Sequence, residues 1–235
     1  PLPSFLKDQI AGHTDALNDA EEARLRADFD RIMGDLHLPV DEAPTGDEPS
    51  ARWIEEVGKQ VDVIKRRGRL ADLIVVPKPE RDRNLGTNSL MTAIFHTGRP
   101  VLMAPPRETP PDALGARVAF AWNGSLEASR AAALCLDVLL SAESVVVYTV
   151  EGKPVRGASL DDLKEYLAVR GLTPDFVSIP SEKSIGEALL RRSASDSADL
   201  LIMGAYSQSH EKEAVFGGVT QFAVDKASMP IIFVH

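Results

Sequence analysis

The sequence predicts a doubly wound α/β fold built on a parallel five-stranded sheet, and three observations carry that expectation. Residues 116–235 hold five short runs rich in β-branched and apolar residues. Stretches of helical length and composition separate them. The runs are continuously apolar rather than alternating, as strands are when helices cover both faces of a parallel sheet.

Taken in order, 116–122 (ARVAFAW) reads as a buried strand followed by the turn Asn123-Gly124-Ser125. A helix then runs to about Leu140, with Ser125 as its N-cap. Residues 144–150 (SVVVYTV) form the next strand. A helix over about 159–170 stops at Gly171, the usual glycine stop position. Strand 175–179 comes next, then a helix near 184–195, strand 199–203 (DLLIM), a polar loop, a helix over about 218–227 and strand 230–234 (PIIFV).

The first half repeats the end of this pattern. Ala71-Asp72-Leu73-Ile74-Val75-Val76 matches Ala198-Asp199-Leu200-Leu201-Ile202-Met203, and Pro100-Val101-Leu102-Met103 matches Pro230-Ile231-Ile232-Phe233. The reading is therefore two tandem copies: residues 1–105 an incomplete first domain, 106–115 a proline-rich linker, and 116–235 a complete second domain. The first copy opens on a charged helix over about 15–36, with nothing before it resembling a first strand, first helix and second strand. The native chain is expected to be longer at its amino terminus, because a doubly wound sheet lacking its central strand leaves open edges. The charges of 19–31 read as a solvated helix face.

Composition narrows the function. With 26 Lys and Arg against 35 Asp and Glu, the net charge is −9, a poor field for nucleic acid or an anionic membrane. The single cysteine, Cys135, makes no internal disulfide, so a reducing, cytoplasmic setting is expected. Histidines 13, 37, 96, 210 and 235 are scattered without ligand-like spacing, so no metal site is expected. No nucleophile with its base is assignable, so no enzyme is expected, slow ATP hydrolysis apart.

The chemistry-bearing stretch is Met203-Gly204-Ala205-Tyr206-Ser207, then nine residues, then Gly217-Gly218-Val219-Thr220. A glycine ending a parallel strand lets backbone approach a ligand, and small residues opening the next helix offer N–H groups to a phosphate. With strand order 3-2-1-4-5, the crevice between the first and fourth strands is the place for a ligand. The same glycines also suit plain turn and packing roles.

Residues 199–204, the 217–220 turn and 230–234 resemble the carboxyl-terminal signature of universal stress proteins. ATP-binding members carry Gly, two residues, Gly, nine residues, Gly and then Ser or Thr. This chain keeps that spacing but has Ser207 at the second glycine and Gly218 at the Ser/Thr position. A left-handed conformation at 207 would cost serine roughly 1–2 kcal/mol. Gly218 loses a hydroxyl and keeps its N–H, and Thr220 offers a hydroxyl two residues on. The resemblance implies an adenine-nucleotide site, for ATP with Mg²⁺. Asn123 stands where relatives place a nucleoside-contacting aspartate, Ala121 and Val150 flank the base, Met203 packs on it, and Trp122 stacks or fills. Glu211 and Glu213 outnumber Lys212 in the loop, which disfavours a triphosphate. The first copy, with Pro77-Lys78-Pro79-Glu80 and Thr87-Asn88 in the matching places, should bind no nucleotide.

Two functions fit these residues. One is a stress-associated regulatory binding protein holding ATP or a related nucleotide. The other is a ligand-free scaffold in which the copies form a pseudo-dimer through closing strands 101–104 and 231–234, with homodimerisation open.

Overall fold

A computed structural model describes residues 4–235 apart from 42–45, 47, 81–85, 108, 110, 112, 154, 156 and 207–217, with the backbone alone for 4–19. The chain divides into two compact units, residues 1–57 and 58–235.

The first unit is dominated by helix α1 (Ser4–Asp35), which begins earlier than its charge pattern suggests. Its charged side chains are exposed and interlaced: Arg26 pairs with Asp30, and Arg31 with Asp28 and Asp35, at i,i+3 and i,i+4 spacing. Phe29 packs on Trp53 with ring centroids 5.3 Å apart.

The second unit contains the sheet. Its elements are α2 (Gln60–Gly68), β1 (Ile74–Pro77), α3 (Thr87–His96), β2 (Val101–Ala104), β3 (Arg117–Ala121), α4 (Leu126–Leu134), α5 (Leu136–Ser141) and β4 (Ser144–Val150). They continue with α6 (Leu160–Ala168), β5 (Asp175–Ile179), α7 (Ile185–Ser195), β6 (Leu200–Gly204), α8 (Gly218–Lys226) and β7 (Ile231–Val234). Side-chain caps start three of the helices. Ser125 accepts from the Ala128 N–H, Ser184 from that of Glu187, and Ser159 forms a capping box with Asp162. Gly171 ends α6 at φ +82°, a conformation that favours glycine. The helix expected to run from 126 to 140 is interrupted at Cys135 (φ −104°, ψ 16°), although its buried face, Ala128, Ala131, Ala132, Cys135 and Leu139, continues at helical spacing.

The sheet has seven strands in the order β1-β2-β7-β6-β3-β4-β5, which corrects the expected count of five. The last five in that order are the expected strands in the expected 3-2-1-4-5 arrangement, all parallel. The extra two come from the first half. β2 pairs antiparallel with β7, Leu102 opposite Ile232, and β1 pairs parallel with β2. The cause lies in β7, whose Ile-Ile-Phe-Val run would otherwise be an apolar edge; with β2 alongside, all four residues are at most 2% exposed. Burying each such side chain contributes about 1.5–3 kcal/mol. One face of the sheet carries α3, α7 and α8, the other α4, α5 and α6. The segment 106–115 lies within this compact unit, between β2 and β3.

Candidate functional site

Ala121, the last residue of β3, stands opposite both Tyr148 and Met203, so β6 runs one residue and β4 two residues beyond it. The chain leaves β3 towards β4 on one side, while β6 flanks it on the other. That reversal opens a crevice beyond the carboxyl ends of the strands. A cavity of about 290 Å³ occupies it, near the lower end of ligand-pocket sizes.

Each wall has a structural origin. β3 delivers Ala121, Trp122 and Asn123; β4 and the chain beyond deliver Val150, Lys153 and Leu160. α7 turns Ile185 and Leu189, one helical turn apart, towards the cavity; β6 supplies Met203 and Gly204, and the opening turn of α8 supplies Gly218, Val219 and Thr220. Seven of the nine sequence-predicted site residues, Ala121, Asn123, Val150, Met203, Gly204, Gly218 and Thr220, are thus gathered round one space. The other two, Ser207 and Gly217, lie outside the described residues, as does the acidic loop around Glu211.

The details alter several expected roles. A Cβ on Gly204 would sit 2.7 Å from the Ala128 nitrogen and 2.9 Å from the Glu127 carbonyl carbon. The glycine therefore admits the first turn of α4 at the edge of the cavity. A Cβ on Gly218 would meet nothing within 4 Å. Thr220 is buried, and its Oγ1 accepts from the Tyr206 N–H at 3.2 Å, so its oxygen holds the chain leaving β6. Asn123 is exposed and its Oδ1 accepts from the Ser125 N–H at 3.1 Å. Trp122 is 5% exposed, and its buried Nε1 has no hydrogen-bond acceptor among the described residues. Its ring meets Phe120 edge-on at 6.0 Å, which makes it wall as much as stacking surface.

Sequence reasoning missed Lys153, Leu160, Ile185, Leu189, Tyr148 and Tyr206 among the lining residues. The i,i+4 pair Ile185 and Leu189 carried a usable signal in its helical spacing; the loop residue Lys153 carried none. Tyr206 adopts φ +59°, unusual for a non-glycine residue, and is 2% exposed. Its ring packs on Phe95 at 4.9 Å and its hydroxyl meets the Met91 sulfur at 3.5 Å, both on α3. Tyr148 donates to Asp196 Oδ2 at 2.7 Å, and burial pushes its hydroxyl well above the ordinary tyrosine range. Arg192 holds the same oxygen at 2.8 Å and draws the Asp196 carboxyl below its ordinary value.

Among the described lining residues Lys153 is the charged one, and none is Asp, Glu, His or Cys. No cluster of three His, Cys, Asp or Glu suited to a metal occurs among the described residues, and no helix there is long and apolar enough to cross a membrane. The described lining is mainly apolar, with Asn123, Thr149, Lys153, Thr220 and the two tyrosines as its polar side chains.

No family model and no curated protein matches the chain. Solved structures do. A universal stress protein from Archaeoglobus fulgidus superposes with TM-score 0.59 at 16% identity, over 79% of this chain and 69% of that one. A protein of unknown function from Pseudomonas aeruginosa gives 0.53 at 14% identity, over 94% and 77%. Another from the same species, ascribed to the universal stress proteins, gives 0.53 at 13%, over 94% and 78%. At such identities the likeness speaks for the fold.

Proposed function

We propose that this chain, whose fold is that of the universal stress proteins, is a regulatory binding protein that holds ATP or another adenine nucleotide in the cavity at the ends of β3, β4 and β6. The observation that carries the reading is the convergence of Ala121, Asn123, Val150, Met203, Gly204, Gly218 and Thr220 on one 290 Å³ space. The residues present fit the group. Ala121, Val150, Met203, Ile185 and Leu189 offer apolar surface for a base, and Gly218, Val219 and Thr220 in the first described turn of α8 border the same space, where helix-opening N–H groups suit a phosphate. The bound nucleotide would supply charge and hydrogen-bonding groups, with Mg²⁺ on its phosphates. No described lining residue is placed as a general base, so slow release of phosphate is the most turnover this reading allows. A reducing, cytoplasmic location suits the buried Cys135, whose thiol burial pushes up to about 12.

Isothermal titration with ATP and Mg²⁺ tests the reading. Saturable heat in the wild type, lost in Ala121→Phe because the ring fills the slot, is the expected result. Silence at millimolar nucleotide would sink it.

A second reading has its own observation, the antiparallel pairing of β2 with β7, which draws the two halves of the sequence repeat into one sheet. On that reading the two copies form a pseudo-dimer acting as a scaffold for protein partners or for a second chain, and no ligand is needed. Unchanged partner assembly in Ala121→Phe would favour it.

A further inference from the structure

Tyr206 lines the cavity, yet a helix that contributes no described lining residue helps to hold it there. It stands two residues beyond β6, at φ +59° and 2% exposed. A residue with a β-carbon keeps that conformation only where its surroundings impose it. Three contacts do so here. Its N–H donates to Thr220 Oγ1 at 3.2 Å, in the opening turn of α8. Its ring packs on Phe95 with centroids 4.9 Å apart, and its hydroxyl donates to the Met91 sulfur at 3.5 Å. Phe95 and Met91 lie one turn apart on α3, in the first half of the sequence repeat. Phe95 also meets the His235 ring edge-on at 4.8 Å, and His235 Nδ1 lies 3.0 Å from the carbonyl oxygen of Ala205, the residue before Tyr206.

The tie has no counterpart in the first half, where Pro79 occupies the matching place and has no N–H to give. We propose that Met91 and Phe95 are positioning residues for the cavity. Through them the first half, which holds no nucleotide of its own on this reading, sets the affinity of the second half's site. They act by fixing Tyr206 and, through its N–H, Thr220. Thr220 shares its turn with Gly218 and Val219, and all three border the cavity, so a displaced Tyr206 disturbs the α8 wall as well as its own. The inference rests on the nucleotide reading above and adds the part of the chain that regulates that site.

The test titrates the full chain and conservative variants with ATP and Mg²⁺. Phe95→Leu and Met91→Leu keep apolar bulk, so thermal unfolding without ligand should change little. Phe95→Leu should weaken ATP about threefold to tenfold, the worth of one aromatic pair, and Met91→Leu should weaken it less. Double-mutant cycles separate positioning from general loosening of the fold. Tyr206→Gly removes the ring and tolerates φ +59°, so in that background Phe95→Leu should leave ATP affinity unchanged. Tyr206→Phe keeps the ring and loses the hydroxyl, so Met91→Leu should add nothing to it. Loss of all binding in Tyr206→Gly supports the role of Tyr206, and the cycle is then read from Tyr206→Phe. Undiminished ATP affinity in Phe95→Leu, or losses that are the same with and without the Tyr206 groups, overturns this inference and leaves the nucleotide reading standing. A wild type that binds no ATP overturns both.

Discussion

The same sequence motif occurs twice in this chain and meets two different fates. In β6, Leu200 and Ile202 are 2% and 0% exposed, because β3 pairs on one edge and β7 on the other. At β1 the matching residues, Leu73 just before the strand and Val75 within it, are 39% and 60% exposed, and the pairing shown for β1 is with β2 alone. The chain leaving each strand differs as well. β6 leads through Gly204 and Tyr206 to the wall of a cavity. β1 leads to Lys78, whose ammonium donates to the Ala227 carbonyl at 2.8 Å, where α8 has just ended and the helix dipole favours a cation. Burial there lowers the lysine below its ordinary value, offset by nearby Asp225. The motif alone makes a strand; a crevice requires a strand pair diverging from a switch in order, and β3 beside β6 provides it.

Alanine at the two matching positions breaks this comparison most directly. Ile202→Ala empties a site with no exposure and should cost roughly 2–5 kcal/mol in urea unfolding. Val75→Ala should cost less than about 1 kcal/mol. Comparable losses would mean that β1 is as enclosed as β6, and the contrast would fail.

Gly204→Ala sharpens the same point at the end of β6. The new methyl would press on backbone atoms of α4 at 2.7–2.9 Å, so the helix must shift, at a cost of about 1–3 kcal/mol. If the glycine instead served only a ligand, thermal unfolding without ligand would not change.

A polar tie on β4 has an effect of about 1 kcal/mol. Asp196 receives hydrogen bonds from Tyr148 and Arg192, joining the end of α7 to β4. The Arg192 guanidinium is the leading cause of its lowered value. A carboxyl lowered in the folded state stabilises above its unfolded value, ordinarily 3.8, and that gain disappears as pH falls through the folded one. The gap in stability between wild type and Asp196→Asn should therefore be constant near neutrality and narrow in acid below about pH 3.8. A gap that widens in acid would contradict the assigned hydrogen bonds.

Legibility followed the range of the forces involved. Local chemistry was readable: strand 175–179 appears to the residue, and Ser125 caps the helix that it precedes, as its sequence suggests. Parallel order was readable too, because continuous apolar runs separated by helices allow few arrangements. The seven-strand count was not, although the contact that produces it was: the apolar closing strands 101–104 and 231–234 were expected to meet, and β2 lies antiparallel to β7. Within the site, positions tied to strand ends or to the glycine spacing were found. Lys153 and Tyr206 were missed because chain folding beyond the strands places them there. For Gly204 the sequence left two roles open, ligand approach and packing, because close approach explains a glycine whether a ligand or a helix does the approaching; the packing role is met by the first turn of α4.

The smallest expected change in stability falls at Gly218, where sequence and geometry make separate demands. A side chain here meets open space, and serine suits the start of a helix, so Gly218→Ser should alter stability by less than about 0.5 kcal/mol. The hydroxyl it adds is the one that ATP-binding relatives carry at this place in the signature. If the cavity is a nucleotide site, titration should show ATP affinity rising about threefold to tenfold, since one hydrogen bond supplies a net of about 0.5–1.5 kcal/mol. The corresponding substitution in the first half, Asn88→Ser in the opening turn of α3, should bring no binding at all. There, proline flanks Lys78 on both sides and, among the described residues, the strand pairs with β2 and has no neighbour like β3. An affinity gain from Asn88→Ser, or none from Gly218→Ser in a protein that binds ATP, would show that the glycine turn and the crevice do not act together.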